Sequence, residues 1–117
     1  MWRRVRGGEF VPFTSDAVLC ELGELMHREN QTAQAVEAAR QIMKSPLFRR
    51  VIVPGSLLEA GVALADRWAQ KIPNRRKRLG FFDCVNVETM RALGIVRVFA
   101  TDGDYDHAGL EVVPFRP

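Results

Sequence analysis

The carboxylates of three residues, Glu21, Asp83 and Asp102, are candidates to act together in binding a metal ion. Asp102 follows an apolar run, residues 95–100, that is typical of a β-strand, and Asp104 comes two positions later. Ligands bind outside the carboxyl ends of the strands in an open α/β sheet, and oxygen donors suit hard divalent cations. This turn is therefore a candidate metal site, although a turn rich in Asp and Gly is also ordinary turn composition.

The other two acids have structural alternatives of similar weight. Glu21 falls at the edge of the apolar stripe of a predicted helix, where its aliphatic stem could simply cover the core. Asp83 lies in the first turn of another predicted helix, where the helix dipole favours an acid. Asn86 shares the inward face of that helix with Asp83, which is harder to explain as capping alone.

A chain of 117 residues with 47% hydrophobic and 26% charged residues predicts a single soluble domain, residues 1–117. It has no apolar run near the ~20 residues that a membrane span needs, and its start lacks the apolar core of a signal peptide. We therefore expect a cytoplasmic protein without a membrane partner. Cys20 and Cys84 are too few for a disulfide framework or a zinc site, and small buried side chains are their expected role.

Four adjacent cations, Arg75, Arg76, Lys77 and Arg78, precede the helix that carries Asp83. The chain has a net charge of +3, with 14 Arg and only 3 Lys. Arginine binds phosphate bidentately, so this run could follow an RNA backbone. A solvated loop explains the run equally well.

Strands alternate with helices along the chain, which predicts an α/β fold with a parallel sheet. Helical patterns cover residues from Thr14 or Ser15 to about 28, 31–44, a stretch opening at 54–56, and 81–93, where Gly94 is a natural cap. Strand patterns cover residues 10–13, 50–53, 95–100 and 110–113.

Taken together, these residues resemble a PIN-domain ribonuclease, most closely the VapC-like toxins of type II toxin–antitoxin pairs. The similarity is most specific in the C-terminal half. The segments that carry it are Gly80-Phe81-Phe82-Asp83-Cys84, Leu93 to Tyr105 with its Thr101-Asp102-Gly103-Asp104 turn, Gly109 to Pro114, and Val18-Leu19-Cys20-Glu21-Leu22.

The resemblance implies a three-layer α/β/α fold with a parallel sheet and metal-dependent cleavage of RNA. It implies that Glu21, Asp83 and Asp102 hold Mg²⁺ or Mn²⁺, with Asp104 as a weaker candidate beside them. The implied partners are RNA, contacted by Arg75–Arg78, a cognate antitoxin, and a second copy of the chain in a homodimer.

One departure from the family pattern concerns the N-terminus. Family members begin with a strand that ends in an aspartate, whereas here Trp2–Arg6 resembles the end of the family's second helix. We therefore expect the first strand and its acid to be missing from this sequence. The alternative function is a truncated or degenerate PIN fold that binds a partner without cutting RNA.

Overall fold

The computed structural model describes residues 2–74, 79–100, 105 and 108–114. Its contacts divide the chain into two compact units, Met1–Val53 and Pro54–Pro117. The elements of the first unit are α1 (Trp2–Arg6), β1 (Phe13–Ser15), α2 (Asp16–Arg28), α3 (Thr32–Lys44) and β2 (Arg49–Val51). Those of the second unit are α4 (Gly55–Lys71), α5 (Phe81–Leu93), β3 (Arg97–Ala100) and β4 (Glu111–Pro114).

In the first unit, β1 and β2 form a parallel pair whose register places Phe13 opposite Arg49 and Ser15 opposite Val51. An ion pair supports this pairing, because Nε of Arg50 lies 2.8 Å from Oδ1 of Asp16, the first residue of α2. Both side chains are partly exposed, so the pair contributes at most about 1 kcal/mol. The parallel pairing of β1 with β2 therefore depends mainly on backbone hydrogen bonds.

Ser15 caps α2, and it is one of the two residues, Thr14 and Ser15, at which the sequence predicted this helix to start. Its backbone is extended, and its buried side-chain Oγ accepts a hydrogen bond from the Val18 N–H at 3.2 Å. We expect Ser15→Ala to lower the free energy of unfolding by about 1 kcal/mol, because the helix loses its cap. Urea unfolding followed by circular dichroism would measure this. Ser56→Ala, which changes an exposed serine in α4, is the control; equal losses in the two variants would contradict the capping role.

The apolar stripe predicted for α2 is less buried than expected. Val18 and Leu25 are exposed, Leu22 and Met26 are only half-buried, and no residue of α2 is fully buried. Helix α2 packs on α3, where Ala35 is the buried residue. The sequence pattern identified the helix correctly but overestimated how much of its apolar face is covered.

The second unit is built on the packing of α4 against α5. An ideal Cβ placed on Gly61 of α4 would lie 2.6 Å from Cγ2 and 2.7 Å from Cα of Val85 in α5, so the helices meet where only glycine fits. The core beside this contact contains seven buried residues: Leu64, Leu79, Cys84, Val87, Met90, Tyr105 and Leu110. Helix α5 contributes three of them and is the central element of the unit.

Gly94 ends α5 in the left-handed conformation, with φ of 70°, as predicted. Strands β3 and β4 then pair in parallel, with Arg97 opposite Glu111 and Phe99 opposite Val113. The predicted parallel α/β class is therefore confirmed. The four long helices match their predicted ranges closely, whereas the strands are shorter than predicted or shifted by a few residues. In the described part of the chain, no helix combines the length and apolar character needed to cross a membrane.

Candidate functional site

Asp83 is the third residue of α5, in the turn where the helix backbone N–H groups have no partners within the helix. Gly80 precedes the helix in an extended conformation without a side-chain cap, and its carbonyl accepts the Cys84 N–H at 3.0 Å. The carboxylate is half-buried. This setting favours the negative charge of Asp83 through the helix dipole.

The hydroxyl of Tyr105 donates a hydrogen bond to Oδ1 of Asp83 at 2.5 Å. Tyr105 is 6% exposed and belongs to the core of the second unit, so its ring is held by packing. This contact joins the start of α5 to a residue 22 positions further along the chain. One oxygen of the candidate ligand is thereby fixed in direction.

Asp83 has no cationic partner among the residues that the structure describes, whereas the next acid along α5 has two. Glu88, whose side chain is 17% exposed, lies 3.2 Å from Nη1 of Arg91 and 4.0 Å from Nη2 of Arg67. The charge of Glu88 is thus compensated within the unit. The described residues contain no such compensating cation for Asp83.

Cys84 does not contribute a nucleophile to this site. Its side chain is completely buried, and its pKa is raised by burial first and then by the neighbouring charges of Asp83 and Glu88. A buried thiol with a raised pKa is unreactive. Cys84 therefore serves packing, as predicted, whereas Cys20 is exposed, contrary to the prediction that both cysteines are buried.

A groove of about 730 Å³ lies along α4 and the residues leading into α5. Two acids, Glu59 and Asp66, line it together with small or apolar residues that include Ala63, Leu79 and Phe81. Acidic side chains repel phosphates. The groove is therefore unsuited to the backbone of a nucleic acid.

No protein-family model and no curated protein matches the chain. Among solved structures, it is similar to VapC20 of Mycobacterium tuberculosis, described as a toxin that cleaves the sarcin–ricin loop. The two share 29% sequence identity and a TM-score of 0.70 over 98% of this chain and 82% of that chain. The chain is therefore similar, in fold and in sequence, to the VapC-like PIN-domain proteins.

The predicted ligands of this VapC-like chain are distributed over both units. Glu21 is half-buried in α2 of the first unit, and Asp83 lies in the first turn of α5 of the second. Asp102 and Asp104 lie outside the described residues, as do Arg75, Arg76, Lys77 and Arg78. Within the described ranges, no group of three or more His, Cys, Asp or Glu side chains is placed to hold a metal ion. The ligand set and the RNA contacts stay predictions.

The divalent cation that the resemblance implies fits the described surroundings of one candidate ligand, Asp83. Asp83 offers hard oxygen donors, keeps its charge uncompensated within the described part of its unit, and has its Oδ1 held by Tyr105. Oxygen-only donors suit Mg²⁺ or Mn²⁺ better than zinc. The described geometry of Asp83 is consistent with a metal ligand.

Sequence reasoning missed Tyr105 as part of this site. Tyr105 is the only tyrosine of the chain, and the sequence gives it a place only as the last residue of the segment Leu93 to Tyr105 that resembles the family. Helical and strand periodicity gives no information on a contact between residues 22 positions apart. The available signal was a lone tyrosine beside an acidic run, because a buried tyrosine hydroxyl usually requires a polar partner.

Proposed function

We propose that this chain is a metal-dependent endoribonuclease and the toxin component of a toxin–antitoxin pair. The observation that carries the proposal is the similarity to VapC20 over 98% of the chain, at 29% identity. The setting of Asp83, a half-buried carboxylate with a fixed oxygen and no described cationic partner, supports it independently.

In this proposal Asp83, Asp102 and Glu21 hold Mg²⁺ or Mn²⁺, and Asp104 assists beside them. The bound cation supplies an activated water and neutralises charge on the phosphoryl oxygens. The protein's own part is to hold and orient the carboxylates. Because crowded carboxylates repel one another, the cation is expected to offset that repulsion when it binds.

The proposed substrate is RNA, and the proposed contact is the basic run Arg75–Arg78. Four adjacent cations would contribute a salt-dependent attraction to the phosphate backbone, whatever the base sequence. The acidic groove between α4 and the start of α5 supports a path for the RNA that avoids Glu59 and Asp66. The RNA sequence that the protein prefers is addressed by comparing two RNAs in the cleavage test.

The test is cleavage of two synthetic RNAs, a sarcin–ricin loop hairpin and an unrelated hairpin, with Mn²⁺, with Mg²⁺, and with EDTA. We expect cleavage that depends on the metal and is abolished by EDTA. The first hairpin is included because VapC20 is described as cleaving that loop. Failure to cut either RNA, together with no Mn²⁺ binding at millimolar concentrations by calorimetry, would contradict the proposal.

The second candidate is a non-catalytic PIN fold that binds a protein partner. It is favoured by exposed apolar side chains in the first unit, among them Val18 and Leu25 in α2 and Val36 and Met43 in α3. Exposed apolar surface of this kind suits an antitoxin or a second copy of the chain. The same surface is compatible with a ribonuclease that is also inhibited by its antitoxin, so metal binding is the measurement that separates the two candidates.

A further inference from the structure

We propose that Tyr105 is a positioning residue that orients the Asp83 carboxylate for a divalent cation. The inference rests on the proposed function, because it assumes that Asp83 is a metal ligand. It goes beyond that function by assigning a role to a residue that is itself not a ligand.

The geometry of the contact carries the inference. The Tyr105 hydroxyl lies 2.5 Å from Oδ1 of Asp83, within the range of charge-assisted O–H···O⁻ hydrogen bonds. An aspartate carboxylate otherwise rotates broadly about its last torsion. A donor fixed on one oxygen restricts that rotation and leaves Oδ2 to face a cation.

The burial of the ring makes Tyr105 a rigid donor. Tyr105 is 6% exposed and packs in the same core as Leu64, Cys84 and Leu110. Packing of the ring in the core therefore fixes the position of the hydroxyl. The first turn of α5 fixes the position of Asp83. Groups that orient metal ligands in this way typically account for about 10- to 100-fold in metal affinity.

Two effects of the hydrogen bond oppose each other. Orientation of the carboxylate favours cation binding, whereas a donor on Oδ1 withdraws negative charge and disfavours it. Because the donor is neutral and leaves most of the charge on the carboxylate, we expect orientation to dominate. Loss of the hydroxyl should therefore weaken binding, and stronger binding would overturn the inference.

The test is Mn²⁺ titration by calorimetry of the full chain and of Tyr105→Phe, which keeps the ring and removes the hydroxyl. We expect the dissociation constant to rise about 10-fold or more. Thr89→Val is the matched control, because it removes another buried hydroxyl of the second unit, which donates to the Val85 carbonyl at 2.8 Å. Its dissociation constant should be unchanged.

The outcomes separate the inference from the proposed function. Wild-type binding with an unchanged constant in Tyr105→Phe would overturn the inference alone. No binding by the wild type would overturn both.

A second measurement needs no change at Tyr105. Since the chain has a single tyrosine, ¹³Cζ-tyrosine labelling gives one NMR signal for this hydroxyl. We expect Mg²⁺ to shift the signal in the wild type and not in Asp83→Asn. An unmoved signal at Mg²⁺ concentrations that calorimetry shows to be saturating would overturn the inference.

Discussion

Replacing Asp83 with Asn is expected to lower metal-dependent RNA cleavage at least about 100-fold, because loss of a group that only orients a ligand already costs about 10- to 100-fold. The amide keeps the size of the side chain and can still accept the Tyr105 hydrogen bond. It lacks the negative charge that would attract the cation. Initial cleavage rates at saturating Mn²⁺, compared with the wild type, would measure the effect.

Asp66→Asn is the matched control for this substitution. Asp66 is an exposed acid of α4 in the same unit, so its replacement makes the same change of charge without removing the carboxylate that Tyr105 contacts. We expect Asp66→Asn to cleave within about threefold of the wild type, since an exposed charge is screened by salt. Equal activity in Asp83→Asn and Asp66→Asn would remove Asp83 from the catalytic site.

The free energy of unfolding of Asp83→Asn distinguishes a loss of chemistry from a loss of folding. Asp83 has no ion pair with the described part of its unit, so its replacement breaks none there. An exposed or half-buried acid in the first turn of a helix stabilises the folded protein by about 0.3–1 kcal/mol through the helix dipole. Loss of activity in Asp83→Asn with a free energy of unfolding within about 1 kcal/mol of the wild type would therefore reflect chemistry rather than unfolding.

Gly61→Ala is expected to destabilise the second unit by about 2–3 kcal/mol, at the upper end of the usual cost of overpacking. The new methyl group would lie 2.6 Å from Cγ2 and 2.7 Å from Cα of Val85. A side chain could turn away, but the Val85 backbone cannot move without shifting α5 against α4. Chemical denaturation followed by tryptophan fluorescence and circular dichroism would measure the loss.

Two further variants test this explanation. Gly23→Ala in α2 meets nothing within 4 Å, so we expect it to be neutral or to stabilise the helix by about 0.5–1 kcal/mol. Adding Val85→Ala to Gly61→Ala removes Cγ2 but leaves the Cα at 2.7 Å and the N at 3.0 Å, so the rescue should be incomplete. A Gly61→Ala variant as stable as the wild type would show that the two helices separate easily.

The helices of this fold were predictable because their signals are local. Gly94 ends α5 and was identified from sequence, and Ser15, which caps the start of α2, was one of the two residues predicted there. The strands were placed less well, because strands of three or four residues give too few alternations to set a boundary. Strand β2 begins at Arg49, a charged residue that the predicted strand pattern of residues 50–53 did not include.

The candidate site was predictable only in part. Asp83 was found because an acid and Asn86 interrupt an apolar helical face, which is a local signal. The partner of Asp83 was not, because the Tyr105 contact joins residues 22 positions apart and no local pattern reports on it. The small burial of α2 was missed for the same reason, since periodicity shows which face is apolar and not what covers it.

The two cysteines differ in exposure, so their rates of reaction with a thiol reagent can report how often the second unit opens. Cys20 directly precedes Glu21 and is exposed, whereas Cys84 directly follows Asp83 and is completely buried. A thiol reagent should modify Cys20 in the native protein and reach Cys84 only when the second unit opens. The ratio of the two modification rates therefore measures, without any substitution, how often the helix that carries Asp83 is exposed to solvent.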